Sequence, residues 1–268
     1  MEEIAERGMV LLGCGKMGSA MLAGWLARGV PAGAVQVIDP APSDWLRGTG
    51  VRIGGEPPAD PAVALIAVKP QMMDDALPGL SRIGGGRCLV LSVAAGTPIA
   101  RLEAAFGPGT PVVRAMPNTP AAIGRGITAI VGNAAAGEAG LDMAEALLSA
   151  VGEVVRLKDE AQIDAVTGVS GSGPAYVFHL IETMAAGGVA EGLDPALAMR
   201  LAVATVAGAG ALAAEGGDDP STLRVNVTSP NGTTQAALEV LMDEGSGFPA
   251  LVPRAVAAAA ARSRELRG

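Results

Sequence analysis

Gly13, Gly15 and Gly18 stand in the spacing G-x-G-x-x-G. They follow the apolar run MVLLG (residues 9–13) and open SAMLAGWLARG, a stretch with apolar residues at helical intervals that stops at Gly29. Strand, glycine turn and helix in that order can hold the pyrophosphate of a dinucleotide. Gly13 allows the tight turn, Gly15 lets backbone reach the phosphates with no Cβ in the way, and Gly18 permits close helix–strand packing. The helix start adds N–H groups without partners. Cys14, Lys16 and Met17 fill the loop and join the candidate cofactor site; the thiol of Cys14 is read as a small tolerated side chain. The alternative is a merely flexible loop.

Asp39 ends the next apolar run, VQVID (residues 35–39), where a carboxylate accepts from the ribose 2′-hydroxyl of NAD and repels the 2′-phosphate of NADP. It serves equally well to start the turn before Pro40, and Arg47 nearby offers a cation to a 2′-phosphate. Two further run ends, Ala67-Val68-Lys69-Pro70 and Ala94-Ala95-Gly96, belong to the same site if the sheet is doubly wound, because ligands collect at the carboxyl ends of strands. Lys69, one of only three lysines, either orients the nucleotide or is an ordinary exposed charge.

A second constellation lies far along the chain. Ser229-Pro230-Asn231-Gly232-Thr233-Thr234 immediately precedes an apolar helical run. A hydroxyl-rich helix start offers N–H groups and a favourable dipole to a carboxylate without any arginine. A plain Ser/Thr helix cap is the competing reading. Val169–Pro174 (VSGSGP) either allows close approach of a substrate or partner helix, or is a loop whose glycines serve backbone geometry. Tyr176, the only tyrosine, donates a proton or packs. His179, the only histidine, reads as a helix residue without an evident carboxylate partner.

The elements that must position these residues follow from periodicity. Further apolar runs at 63–68, 88–93, 111–116 and 126–132 alternate with helical stretches, which predicts a parallel sheet with helices on both faces. From 160 onward the pattern is helical: 161–169, 174–191, 195–215, 233–244 and 249–266. The fold class is α/β, a Rossmann-type doubly wound sheet over residues 1–158 followed by an all-helical domain over residues 159–268.

Composition bounds the partners. The net charge of −8 disfavours nucleic acid. Leu201–Ala214 is shorter than the roughly 20 apolar residues of a membrane span, and reads as a buried core or interface helix. The start MEEIAERG lacks a basic segment before an apolar one, so a cytoplasmic protein is expected. Cys14 and Cys88 have no metal spacing, and no metal is expected. With few aromatics and abundant Ala and Gly, the helical half has a limited core of its own and predicts an obligate oligomer.

RAMPNTPA (residues 114–121), AVKPQ (67–71), VTGVSGSGPAYVF (166–178) and VTSPNGTT (227–234), in that register, resemble the pyrroline-5-carboxylate reductase family over nearly the whole chain. The resemblance implies hydride transfer from NADPH or NADH to the cyclic imine 1-pyrroline-5-carboxylate, giving L-proline. It also implies a homodimer of interlocking helices and higher assembly such as a decamer. By the same resemblance, Met116, Pro117 and Asn118 line the nicotinamide. Ser229, Gly232, Thr233 and Thr234 meet the substrate, with Ser229 and Thr234 the catalytic candidates and Thr234 near the ring nitrogen, and Glu160 and Asn226 fall at substrate or product positions. Two departures stand out. The common form has Gly where this chain has Asn231, which also tolerates unusual backbone angles. Asp39 replaces the neutral or basic residue of many NADPH-preferring members.

No lysine follows Lys158. A ketone reductase of the β-hydroxyacid type uses a helical-domain lysine to protonate the alkoxide, whereas a protonated imine leaves a neutral amine and needs positioning more than acid. The rivals are that dehydrogenase class, another imine reductase, and a nucleotide-binding regulatory protein without turnover.

Overall fold

The computed structural model describes residues 2–83 and 86–267. Eight strands form one sheet: β1 Met9–Leu12, β2 Val35–Ile38, β3 Arg52–Ile53, β4 Val63–Ile66, β5 Leu89–Ser92, β6 Val112–Met116, β7 Gly126–Gly132 and β8 Gly152–Arg156. Their order is β3-β2-β1-β4-β5-β6-β7-β8. The helices are α1 Glu2–Arg7, α2 Lys16–Ala27, α3 Asp44–Arg47, α4 Met73–Ala76, α5 Ile99–Phe106, α6 Gly137–Leu148, α7 Ile163–Val166, α8 Gly173–Ala190, α9 Pro195–Glu215, α10 Pro220–Asn226, α11 Thr233–Leu241 and α12 Phe248–Glu265.

β1 and β4 are apolar at every position because both faces of the sheet are covered. Met9 and Leu11 of β1 join Val35, Val63, Leu65, Leu89 and Leu91 in one cluster, packed with Met21, Leu22 and Trp25 of α2 and Leu147 of α6. Val10 and Leu12 point the other way, with Ala64, Ile66 and Val90, against Met73, Leu80, Leu102 and Phe106. Period-two alternation thus divides one hydrophobic run between two cores. Trp25 keeps its indole N–H satisfied by donating to the Leu147 carbonyl at 2.9 Å.

The parallel sheet expected from the sequence has one exception. β6 and β7 are antiparallel, with Ala115 opposite Ile130, and β8 then runs parallel to β7. The short segment between β6 and β7 leaves no room for a crossover helix, so the chain turns back.

Two compact units emerge, residues 1–171 with 259–268, and residues 172–258. Residues 159–171 pack with the sheet in this division. Ile163 and Asp164 are buried in the first unit, and the end of α12 returns to it. The helix expected over 161–169 is also broken up. A 3-10 turn at Glu160–Gln162 leads into α7, and Thr167–Gly171 forms a π turn. There the Thr167 and Ser170 hydroxyls donate back to the carbonyls of Ile163 and Val166 at 2.8 and 3.1 Å, which competes with regular helix.

The second unit is helical throughout. Its buried apolar cluster is small, Ala185, Ala198 and Ala202 with Ile181 alongside. Asp194 caps α9 by accepting from the N–H groups of Ala196 and Leu197 at 2.9 and 3.2 Å. α9 runs 21 residues, which by length and composition suffices to cross a membrane, so the length argument from Leu201–Ala214 does not hold. Nor is α9 a buried core helix of this unit: Leu197, Leu201 and Leu212 are about half exposed.

Candidate functional site

The glycine loop lies at the carboxyl end of β1, where the sheet order reverses between β2 and β4. Its three glycines have three separate reasons. Gly13 adopts φ +89°, and a Cβ there would come within 2.9 Å of Val68 Cγ1 and 3.0 Å of the Ala67 carbonyl carbon. A Cβ on Gly18 would collide with the carbonyl oxygen of Gly13. Gly15, by contrast, faces open space, with nothing within 4 Å of where a Cβ would go. Gly15 is also the N-cap of α2, so the unpaired N–H groups of that helix start beside an open approach. An anionic dinucleotide fits this cradle.

Asp39 reaches into the loop. One carboxylate oxygen accepts from the Cys14 N–H at 2.7 Å and the other from the Ala41 N–H at 2.8 Å. The turn after β2 is thus formed, and the carboxylate stands beside the glycine loop. Burial, with the Asp39 charge adding to it, pushes the Cys14 thiol up to about 11. Cys14 is therefore a protonated, inert thiol at neutral pH. Lys16 and Lys69 are exposed, Met17 and Pro70 are half-buried, and Arg47 is exposed in the last turn of α3.

Ala94, Ala95 and Gly96 follow β5. Ala94 and Gly96 are buried and Ala95 is exposed. After β6 comes the segment with Met116, Pro117 and Asn118. The Asn118 side-chain oxygen accepts from the Ile127 N–H at 3.0 Å, which ties this segment to the start of β7. A Cβ on Gly171, in the π turn, would lie 2.6 Å from the methyl of Met116, so the absent side chain there makes room for that methionine.

Glu160 is anchored by two contacts. Its Oε1 accepts from the Ile99 N–H at 2.9 Å and pairs with Arg114 Nη1 at 2.7 Å, all within the first unit. Arg114 is 1% exposed, and a buried guanidinium needs such a partner. Glu160 thus ties α5 and β6 together.

In the second unit, Ser229, Gly232, Thr233 and Thr234 meet at the start of α11, with Gly232 as its N-cap. The Gly232 N–H donates to the Ser229 carbonyl at 3.0 Å, and a Cβ on Gly232 would strike the Ser229 hydroxyl. Asn231 is the one non-glycine residue with positive φ among the described residues, at +56°. The turn survives the Gly-to-Asn departure, as the tolerance of Asn for this region predicts. Gln235 steadies it by accepting from the Asn231 N–H at 2.8 Å. Asn226 is the last residue of α10, an element the sequence reading missed although Asp219-Pro220 signals it. His179 does have a carboxylate partner, Glu182 Oε2 at 3.0 Å one turn on, and both are exposed. That arrangement is a surface helix pair.

A family model described as pyrroline-5-carboxylate reductase dimerisation matches residues 160–266. Another, described as coenzyme F420-dependent NADP oxidoreductase, matches residues 9–96. A pyrroline-5-carboxylate reductase of Pseudomonas aeruginosa is 42% identical over 264 residues, covering 96% of each chain. This chain belongs to the pyrroline-5-carboxylate reductase family. A pyrroline-5-carboxylate reductase structure from Coxiella burnetii superposes with a TM-score of 0.91 at 30% identity, covering 98% of this chain and 99% of that one. A Plasmodium falciparum pyrroline carboxylate reductase with NADP bound gives a TM-score of 0.84 at 26% identity, covering 97% and 98%. In this family member the NAD(P)-type loop lies in the first unit, and the helical residues belong to a dimerisation domain.

Proposed function

We propose that this chain reduces 1-pyrroline-5-carboxylate to L-proline with NADPH or NADH. The observation that supports this best is family membership along the whole chain, joined to an open glycine cradle in one unit and a hydroxyl-lined helix start in the other.

The chain's own residues divide the task. Gly13, Gly15 and Gly18 shape the backbone that takes the pyrophosphate, with Cys14, Lys16 and Met17 around it, and Asp39 fixes the loop and offers remaining lone pairs to a ribose hydroxyl. Ala67–Pro70, Ala94–Gly96 and Met116–Asn118 are the strand ends assigned to the rest of the cofactor. Reduced nicotinamide, when bound, supplies the hydride that the imine carbon takes up. At the start of α11, the Ser229 hydroxyl and the free N–H groups hold the substrate carboxylate. Thr234 directs its hydroxyl to the ring nitrogen, which enters protonated and leaves as a neutral amine, so no lysine is called for. Asn226, Gly232 and Thr233 complete that surface.

Oligomerisation belongs to the same reading. The exposed apolar side chains of α8 and α9, Phe178 and Leu201 among them, are covered by a second copy, and the dimers assemble further toward a decamer. That covering, rather than a lipid bilayer, accounts for the hydropathy of α9, and the assembly is cytoplasmic.

The test follows nicotinamide absorbance on mixing with pyrroline-5-carboxylate, separately with NADH and NADPH. Rapid oxidation with proline formed is the expected result; no oxidation with either, despite demonstrated cofactor binding, rejects the substrate. Thr234→Ala is expected to lower kcat/KM about tenfold, the worth of one hydrogen bond to a charged group. Unchanged turnover removes Thr234 from the mechanism.

A further inference from the structure

The end of α12 is held on the first unit by a buried carboxylate. Asp164, on α7, is 2% exposed; its Oδ1 accepts from the Ser263 hydroxyl at 2.8 Å and its Oδ2 pairs with Arg267 Nη2 at 2.5 Å. A carboxylate this buried is tolerable only with both oxygens engaged, so the pair and the hydrogen bond fix the register of residues 263–267. Between them sits Leu266. A Cβ on Gly96 would lie 2.9 Å from the Leu266 carbonyl oxygen and 3.2 Å from its Cβ, so the Leu266 backbone is in close packing with the Ala94–Gly96 loop.

In that loop the Ala94 N–H donates to the Ser92 hydroxyl at 3.3 Å. Gly96 is in the left-handed region at φ +67°. The neighbouring Thr97 hydroxyl is buried and lacks a hydrogen-bond partner among the described residues, so it does not anchor the turn. On the far side, the start of α5 is tied down by Glu160, four residues before Asp164 and accepting from the Ile99 N–H. Two carboxylates four residues apart therefore hold both the helix after the loop and the chain end packed on it.

We propose that Ser263–Arg267, latched by Asp164, is a positioning element for the cofactor loop Ala94–Gly96. The proposal rests on the reading that this loop lines the cofactor. Its role is geometric: residues 264–267 do not touch substrate, but set where the loop backbone stands when the nicotinamide nucleotide arrives.

The test is a fluorescence titration of NADPH on the assembled full-length enzyme. It compares wild type with a chain ending at Glu265, with Arg267→Ala, with Arg267→Lys, and with Ala95→Tyr as a probe of the loop itself. Loss of Leu266 and Arg267 is expected to weaken NADPH binding on the order of tenfold, with the imine KM at saturating cofactor unchanged. Arg267→Lys is expected to restore most of what Arg267→Ala loses. If the shortened chain binds NADPH as tightly as wild type while Ala95→Tyr binds poorly, the latch is wrong and the loop assignment stands. If neither change affects binding, the loop is not at the cofactor and the proposal falls with that assignment. A sharp drop in Tm that Arg267→Lys does not repair, with both KM values altered together, reduces the contact to plain stability and overturns the positioning role.

Discussion

On β1, β4 and β5 of the first unit, Leu11, Leu65 and Leu91 are all 0% exposed, whereas on α9 of the second, Leu197, Leu201 and Leu212 are 46%, 48% and 53% exposed. The same residue type is thus consumed by an internal core in one region and left at the surface in the other. A sheet covered on both faces closes its own apolar surface. A set of helices whose buried cluster is three alanines does not, and apolar surface on that scale marks association. The contrast extends to the two candidate sites. The cofactor loop is shaped by buried strand ends, with Gly13 against Val68 and Gly18 against Gly13. The turn at Ser229–Thr234 is exposed to half-buried and shaped by local hydrogen bonds.

The comparison breaks most sharply at the glycine loop. Gly18→Ala forces a Cβ into the Gly13 carbonyl, and is expected to abolish cofactor binding and lower Tm together. Gly15→Ala has open space in the protein, so it should melt like wild type and yet lose cofactor affinity. If Gly15→Ala binds normally, the open side of the loop is not the phosphate side. Calorimetry and NADPH titration separate the two variants.

Next in size is the contrast between leucines. Leu65→Ala should destabilise by about 2–5 kcal/mol, because it leaves a cavity in a closed core. Leu201→Glu should leave the fold of its own helix intact while shifting light scattering toward smaller species. An unchanged assembly with Leu201→Glu would show that this face of α9 is not where copies meet.

Local backbone preference sets the third. Asn231→Val places a β-branched residue at φ +56°, costing about 1–2 kcal/mol and raising the imine KM roughly tenfold, while Asn231→Gly should be silent. Equal KM values for the two variants would detach this turn from the substrate.

Smaller still, if Asp39 meets the ribose as proposed, Asp39→Ser should improve the NADPH to NADH ratio of kcat/KM by removing a negative charge at the 2′ position, while the hydroxyl still caps the turn. No change in the ratio leaves Asp39 with the turn alone.

The mildest effect is on pH. Hydrogen bonds from the Ser221 and Thr222 hydroxyls and N–H groups hold the exposed Asp219 carboxyl down at about 2, against an ordinary 3.8. A folded-state value below the unfolded one adds stability that is present above about 3.8 and lost as pH falls through about 2. Asp219→Asn should flatten that part of the acid unfolding curve by lowering stability at neutral pH, while stability below about pH 2 stays nearly unchanged. A curve that still falls as in wild type would assign the acid sensitivity to other carboxylates.

What the sequence determined by itself was local. Glycine spacing, apolar runs split by period two, the Pro and Asp that begin helices and the Asn that tolerates positive φ are all written within a few residues of where they act. They sufficed to place the glycine loop after β1 and the turn before α11. Tertiary structure alone decided what depends on partners far along the chain. Glu160 is bound to Arg114 and Ile99, 46 and 61 residues away. Asp164 drew no attention in the sequence, since its partner Ser263 lies 99 residues on. Residues 159–171 and the end of α12 pack with the first unit for the same reason. A carboxylate is soluble in any sequence; which buried cation or N–H it must satisfy is set only when distant segments close on it.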